Sequence, residues 1–139
     1  MISIVLPTYN GEKYLGDSIQ SILNQTFTDW ELIVIDDCSK DSTNNIAVEY
    51  SKKDERIKVF RNDCNLRLPA SLNKGFLKTV GRYLTWTSDD NLYKPDALEK
   101  MYEVLRGDED CGLVFSRMEI IDKDGKVRGL SYAPSDVKE

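Results

Sequence analysis

Short apolar runs alternate with helix-patterned stretches along this chain, and that alternation restricts the folds open to it. Ile2-Ser3-Ile4-Val5-Leu6 reads as a buried strand that Pro7 is expected to stop. From Gly11 to Gln25, the spacing of Tyr14, Leu15, Ile19, Ile22 and Leu23 fits one face of a helix. Glu31-Leu32-Ile33-Val34-Ile35 is a second buried strand, ending at Asp36-Asp37. Ser42-Thr43 can cap a helix carrying Ile46, Ala47 and Tyr50. Ile57 to Phe60 is a third strand. Pro69 to Val80 reads as a helix with proline in its first turn and Leu72, Phe76, Leu77 and Val80 on one side. Tyr83 to Thr87, aromatic and β-branched, is a fourth strand. Pro95 opens a helix through Leu98, Met101, Tyr102 and Leu105, with Gly107 as its stop. Gly112 to Arg117 reads as a further strand. Met118 to Asp122 and Lys126 to Leu130 flank Asp124-Gly125, a hairpin signal. The expectation is an α/β fold: an open, mainly parallel sheet with right-handed crossovers, flanked by helices, with a C-terminal β-hairpin.

Composition narrows the chemistry. The 139 residues, 40% hydrophobic, suit one globular domain over 1–130, with a polar tail from Ser131 to Glu139. No apolar run is long enough to cross a bilayer and none resembles a signal peptide. The chain therefore reads as cytoplasmic, or as the soluble part of something that works at a membrane face. Cys38, Cys64 and Cys111 have no metal-type spacing and are expected to be reduced thiols. There is no histidine, which removes Ser-His-Asp triads, histidine bases and most zinc sites. Any metal must be held by oxygen. The net charge of -5 argues against nucleic acid as a partner. It also means that a phosphate-bearing ligand would need a local cation.

Parallel strands bring three loops to one sheet edge, where ligands of open α/β sheets bind. They are Pro7-Thr8-Tyr9-Asn10-Gly11, the run from Asp36 to Thr43, and Ser88-Asp89-Asp90-Asn91. Together they gather an aromatic ring, two acidic pairs and small hydroxyls, a set that suits a nucleotide diphosphate. Tyr9 offers a stacking face for a base. Asp37 could accept the imide N–H of a pyrimidine. Asp89 could hold ribose hydroxyls, and Asp90 a divalent ion bridging two phosphates. Each part also has an ordinary structural reading. Tyr9 could be a core-edge aromatic, Asp41 or Ser42 a helix cap, and Asp36 a loop anchor through nearby backbone N–H groups.

The runs Ser3-Ile4-Val5-Leu6-Pro7-Thr8-Tyr9-Asn10, Gln25-Thr26-Phe27, Glu31 to Asp37 and Thr87-Ser88-Asp89-Asp90-Asn91 resemble those of family 2 glycosyltransferases. Asp89-Asp90-Asn91-Leu92-Tyr93-Lys94-Pro95-Asp96 is similar to a run in the SpsA-like members. The resemblance spans Ile2 to about Leu130. It implies the GT-A fold, with a Rossmann-like nucleotide-binding half, and transfer of a sugar from a nucleotide diphosphate with inversion. It implies that Pro7, Thr8 and Tyr9 bind nucleotide, with Tyr9 on the base. It places Asp37 and Arg67 at a uracil ring, Asp89 near the ribose and Asp90 on Mn²⁺ or Mg²⁺. Ser88 stands where many members carry a further aspartate, so the metal would lean on Asp90, the diphosphate and water.

The donor base expected from Asp37 and Arg67 is uracil or thymine, hence UDP or dTDP sugars, with a saccharide or other hydroxyl acceptor. In the family the base that deprotonates the acceptor lies in an acceptor half beyond the nucleotide-binding half. The nearby carboxylates Asp122 and Asp124 are explained by a hairpin turn. The catalytic base is therefore unassigned, and the chain reads as a truncated piece that binds donor and transfers poorly. Apolar surface left open by such truncation would suit a homodimer. Three other readings compete. A non-catalytic nucleotide-sugar module fits the same residues. A receiver-type signalling domain would need its acidic pair after the first strand. A nucleotidyltransferase would need a Gly-rich, basic loop there, and Pro7-Thr8-Tyr9 is neither.

Overall fold

The computed structural model describes residues 1–131, so the expected tail beyond Ser131 lies outside the described residues. The elements in chain order are β1 (Ile2–Thr8), α1 (Leu15–Leu23), β2 (Trp30–Asp36), α2 (Thr43–Lys53), β3 (Ile57–Arg61) and α3 (Arg67–Phe76). They continue with β4 (Tyr83–Trp86), α4 (Ala97–Gly107), β5 (Glu119–Ile121) and β6 (Val127–Leu130). The chain divides into two units, Met1–Glu99 and Lys100–Glu139.

In the first unit, four parallel strands are ordered β3-β2-β1-β4. Every residue of β1 and β2 is buried, which is why both read as continuous apolar runs rather than alternating ones. Val5, Ile33 and Ile35 form a cluster on one face, with Leu72 and Phe76 of α3 packed against it. Gly75 lets α3 sit that close, because a Cβ there would lie 2.2 Å from Val5 Cγ1. Alternate residues Ile4, Leu6, Leu32 and Val34 point to the other face and are fully buried. Leu15, Ile19 and Ile22 of α1 and Ala47 of α2 are fully buried as well.

Several boundaries differ from expectation. β1 does not stop at Pro7 but continues to Thr8. Val5 bonds toward β4, accepting from Thr87 N, so Pro7 also faces that side, beyond the last paired residue of β4. Its missing N–H therefore breaks no ladder bond. Helix α3 begins at Arg67, before Pro69, and ends at Phe76, leaving Leu77 and Val80 exposed. Ser42 precedes α2 without a side-chain cap; Asp41 accepts from Thr43 N instead. Tyr14 lies just before α1 and is exposed rather than on its buried face. The strand expected over Gly112 to Arg117 does not form. A strand needs a ladder partner, and no described residue pairs with this segment, so Leu113 and Phe115 stay exposed.

In the second unit, β5 and β6 pair antiparallel, as the Asp124-Gly125 signal indicated. Gly125 takes φ +77°, open to glycine and costly for most residues. Asp122 accepts from the Asp124 and Lys126 N–H groups and from Arg128. That carboxylate is committed to its own turn. Among the described residues, no helix is long and apolar enough to cross a membrane.

Candidate functional site

The loops after β1, β2 and β4 meet at one sheet edge, as parallel strands require. The first two are stitched together. Asn10, at φ +54°, donates its N–H to Ser39 Oγ (3.0 Å) and accepts from Lys40 N (2.8 Å). Gly11 N donates to Thr43 Oγ1 at 2.8 Å, and Ser42 N donates to Glu12 Oε2 at 2.9 Å. Asp36, fully buried at the end of β2, accepts from Ser39 N at 3.0 Å. Its other oxygen has no hydrogen bond but lies 3.4 Å from Arg61 Nε, an ion pair. Asp36 is thus the loop anchor that one reading expected.

Asp37 is also buried, and its carboxylate is gripped by loop backbone from the other side of the sheet edge. Oδ1 accepts from Leu66 N and from Asn62 Nδ2, each at 2.8 Å, and Oδ2 accepts from Arg67 N at 2.8 Å. Leu66 is right-handed (φ -97°, ψ -5°) and Arg67 left-handed (φ +66°). Successive N–H groups in that pair of conformations form a concave nest for an anion, here the Asp37 carboxylate. Burial pushes the Asp37 carboxyl up, but hydrogen bonds from Leu66, Asn62, Ser71 and Arg67 outweigh it and hold the group below the usual range.

Thr8 hydroxyl donates to Asp89 Oδ2, tying the loop after β1 to the loop after β4. Gly11 leaves room for this contact, since a Cβ there would sit 2.2 Å from Asp89 Oδ2. Asp90 is exposed and carries no hydrogen bond or ion pair among the described residues.

All seven residues singled out in the sequence, Pro7, Thr8, Tyr9, Asp37, Arg67, Asp89 and Asp90, line one cleft of about 700 Å³. Tyr9 is 47% exposed, so it is a rim aromatic rather than a core one. Arg67 is the single cation among the lining residues, in a cleft that also carries Asp37, Asp89 and Asp90. Asn65, Leu68 and Ser71 line it too and were not anticipated. Ser71 stands one helical turn after Arg67 on the same face, so a helix begun at Arg67 would have exposed it. Asn65 turns back to accept from Arg67 N at 3.0 Å, a local Asx-type turn.

The cleft's oxygen donors suit a hard divalent cation. They do not make a protein cage. Among the described residues no group of three or more His, Cys, Asp or Glu side chains could hold a metal. Asp89 already accepts from Thr8, so the free carboxylate is Asp90. The donor set fits an ion shared with a ligand's phosphates and water, not one held by protein alone.

The chain is similar to proteins named as glycosyltransferases. TuaG of Bacillus subtilis, provisionally named a teichuronic acid biosynthesis glycosyltransferase, is 34% identical over 125 residues, covering 90% of this chain and 49% of that protein. An uncharacterized glycosyltransferase of Haemophilus influenzae is 36% identical over 138 residues, covering 99% of this chain and 43% of that one. The chain thus spans about half the length of such curated relatives. The crystal structure of S. aureus TarS 1-349 in complex with UDP-GlcNAc matches with TM-score 0.71 and 28% identity, over 76% of this chain and 31% of that one. The chain has the GT-A, Rossmann-like architecture. The family model described as glycosyl transferase family 2 matches residues 3–134, and this chain belongs to that family.

Proposed function

We propose that this chain is the donor-binding part of a family 2 glycosyltransferase. It binds a UDP or dTDP sugar whose sugar is then transferred, with inversion, to a hydroxyl acceptor. The observation that carries this reading is the single cleft shared by Tyr9, Asp37, Arg67, Asp89 and Asp90, which come from three loops and one helix start at one sheet edge. TarS, solved with UDP-GlcNAc, supports a uracil nucleotide, and TuaG's provisional name supports polysaccharide biosynthesis as the setting.

The chain's own residues divide the work. Tyr9 stacks on the base. Asp37, ionised and held by the Leu66–Arg67 nest, accepts the imide N–H. Arg67, whose backbone N–H holds Asp37, contacts the uracil and is the single cation among the residues lining the cleft. Asp89, oriented by Thr8, holds the ribose hydroxyls. Asp90 would hold Mn²⁺ or Mg²⁺ together with the diphosphate; when bound, such an ion offsets charge growing on the leaving diphosphate. The acceptor's base is not assigned to any residue here, since Asp122 is used by its hairpin.

Thermal shift of the chain against UDP, dTDP and GDP, each with and without Mn²⁺, tests the reading. A ligand that binds only the folded chain raises its apparent stability by mass action. UDP or dTDP with Mn²⁺ is expected to raise the midpoint. No shift from any nucleotide with metal present would sink the proposal.

A further inference from the structure

Asp37 has little acceptor capacity left to offer a ligand. A carboxylate provides about four lone-pair positions, two on each oxygen. Leu66 N–H and Asn62 Nδ2 occupy both positions of Oδ1, and Arg67 N–H occupies one of Oδ2. The Ser71 hydroxyl also faces this carboxylate, but it is a rotor that already accepts from Asn62 and can yield to an incoming donor. With the Ser71 hydroxyl turned away from the carboxylate, one position, on Oδ2, is left for a ligand.

The Asn62 contact cannot be turned off by an amide flip. Asn62 is 6% exposed, and every polar atom of its side chain is engaged. Nδ2 donates to Asp37 Oδ1 (2.8 Å) and to Ser71 Oγ (2.9 Å), while Oδ1 accepts from Lys74 Nζ at 3.1 Å. Flipping the amide would turn its N–H groups toward the ammonium and its oxygen toward the carboxylate. The backbone N–H of Asn62 is fixed too, to Asp36 O at 2.9 Å.

We propose that Asn62 is a positioning residue that sets the donor nucleobase: by filling Oδ1 of Asp37 together with Leu66 N–H, it leaves a single acceptor, suited to the lone ring N–H of uracil or thymine and not to the paired donors of guanine. The inference rests on the donor-site reading above and deepens it. Guanine presents a ring N–H and a 2-amino group side by side, which need both oxygens of one carboxylate. With its ring N–H on Oδ2, its 2-amino group would face a saturated Oδ1. Asp37 is 4% exposed, so water is poorly placed to take that donor instead. A donor left unsatisfied in such a place is expensive.

Hypoxanthine isolates this effect, because it keeps guanine's ring system and ring N–H but lacks the 2-amino group. The test is calorimetric titration of the chain with UDP, IDP and GDP in Mn²⁺, using wild type and Asn62→Ala. Wild type is expected to bind IDP about tenfold or more tightly than GDP. In Asn62→Ala the freed position on Oδ1 should bring the two close to parity while UDP binding persists. A loose or partly unfolded variant would weaken all three ligands together, without changing the ratio. Equal IDP and GDP affinities in wild type would overturn the inference, and that comparison stands even where the variant does not fold. An unchanged IDP-to-GDP ratio in a folded variant that still binds UDP would overturn it as well. No binding of any nucleotide by wild type would sink the donor-site reading first, and this inference with it.

Discussion

Arg67 holds a backbone conformation that non-glycine residues rarely adopt, at φ +66°. The nest around Asp37 explains the conformation, and the cleft explains the side chain. Arg67→Gly should therefore separate the two. Relief of strain and the added freedom of the unfolded chain oppose each other, so stability by urea denaturation should stay within about 1 kcal/mol of wild type. Nucleotide affinity should fall markedly. A large loss of stability with unchanged affinity would contradict this account. Gly11 offers a second test. An alanine Cβ would meet Asp89 Oδ2 at 2.2 Å, and a side-chain tip can move away, so the fold should tolerate Gly11→Ala. Its cost should be about 1 kcal/mol, while the Thr8–Asp89 contact is displaced and nucleotide binding weakens several-fold more than stability suggests. At this scale the cleft-lining positions of Tyr9, Asp37, Asp89 and Asp90 were legible in the sequence, because each lies shortly after a readable strand. Asn62 and Ser71 were not, since their roles depend on contacts with Asp37 across 25 or more positions of chain.

Among the elements, Glu31 shows why β1 and β2 can bury a charge. Its carboxylate accepts from Ser3 Oγ (2.6 Å), Val80 N (2.8 Å) and Lys58 Nζ (2.8 Å), joining β1, β2, β3 and the segment after α3. Glu31→Ala would leave the Val80 N–H and the Ser3 hydroxyl without their acceptor. It should destabilise the chain by about 2–4 kcal/mol, read by urea denaturation. A change under 0.5 kcal/mol or so would show that these bonds add little. Ser3 also receives Gly81 N at 2.8 Å, so the same network fixes the entry to β4. The strands themselves were legible wherever they are buried on both faces. Their ends were not, and the reasons are tertiary. Pro7 is tolerated because its missing N–H faces past the end of β4, and α3 starts early because Asp37 captures the preceding loop. The Gly112 to Arg117 run has strand composition, but composition cannot supply a partner strand.

Across the first unit, acid should act through a shared set of carboxylates. Burial pushes Glu31, Asp37 and Asp41 up, but hydrogen bonds to each, and Lys58 beside Glu31, bring them below their ordinary values. Arg56 lowers Asp54 in the same direction. A group whose pKa is depressed on folding stabilises the fold above its unfolded value and loses that contribution as pH falls through its folded value. Stability should therefore be flat above about pH 5 and decline steadily below about pH 4. Urea midpoints measured across that range check this, and a midpoint that rises on acidification would contradict it. The central claim, that one sheet edge holds a nucleotide-diphosphate sugar, is tested most directly by calorimetric titration of this chain with UDP, with and without Mn²⁺. Measurable binding is expected, strengthened by Mn²⁺ in wild type and no longer strengthened by it in Asp90→Ala. Absence of UDP and dTDP binding in Mn²⁺, with the chain folded, would contradict it.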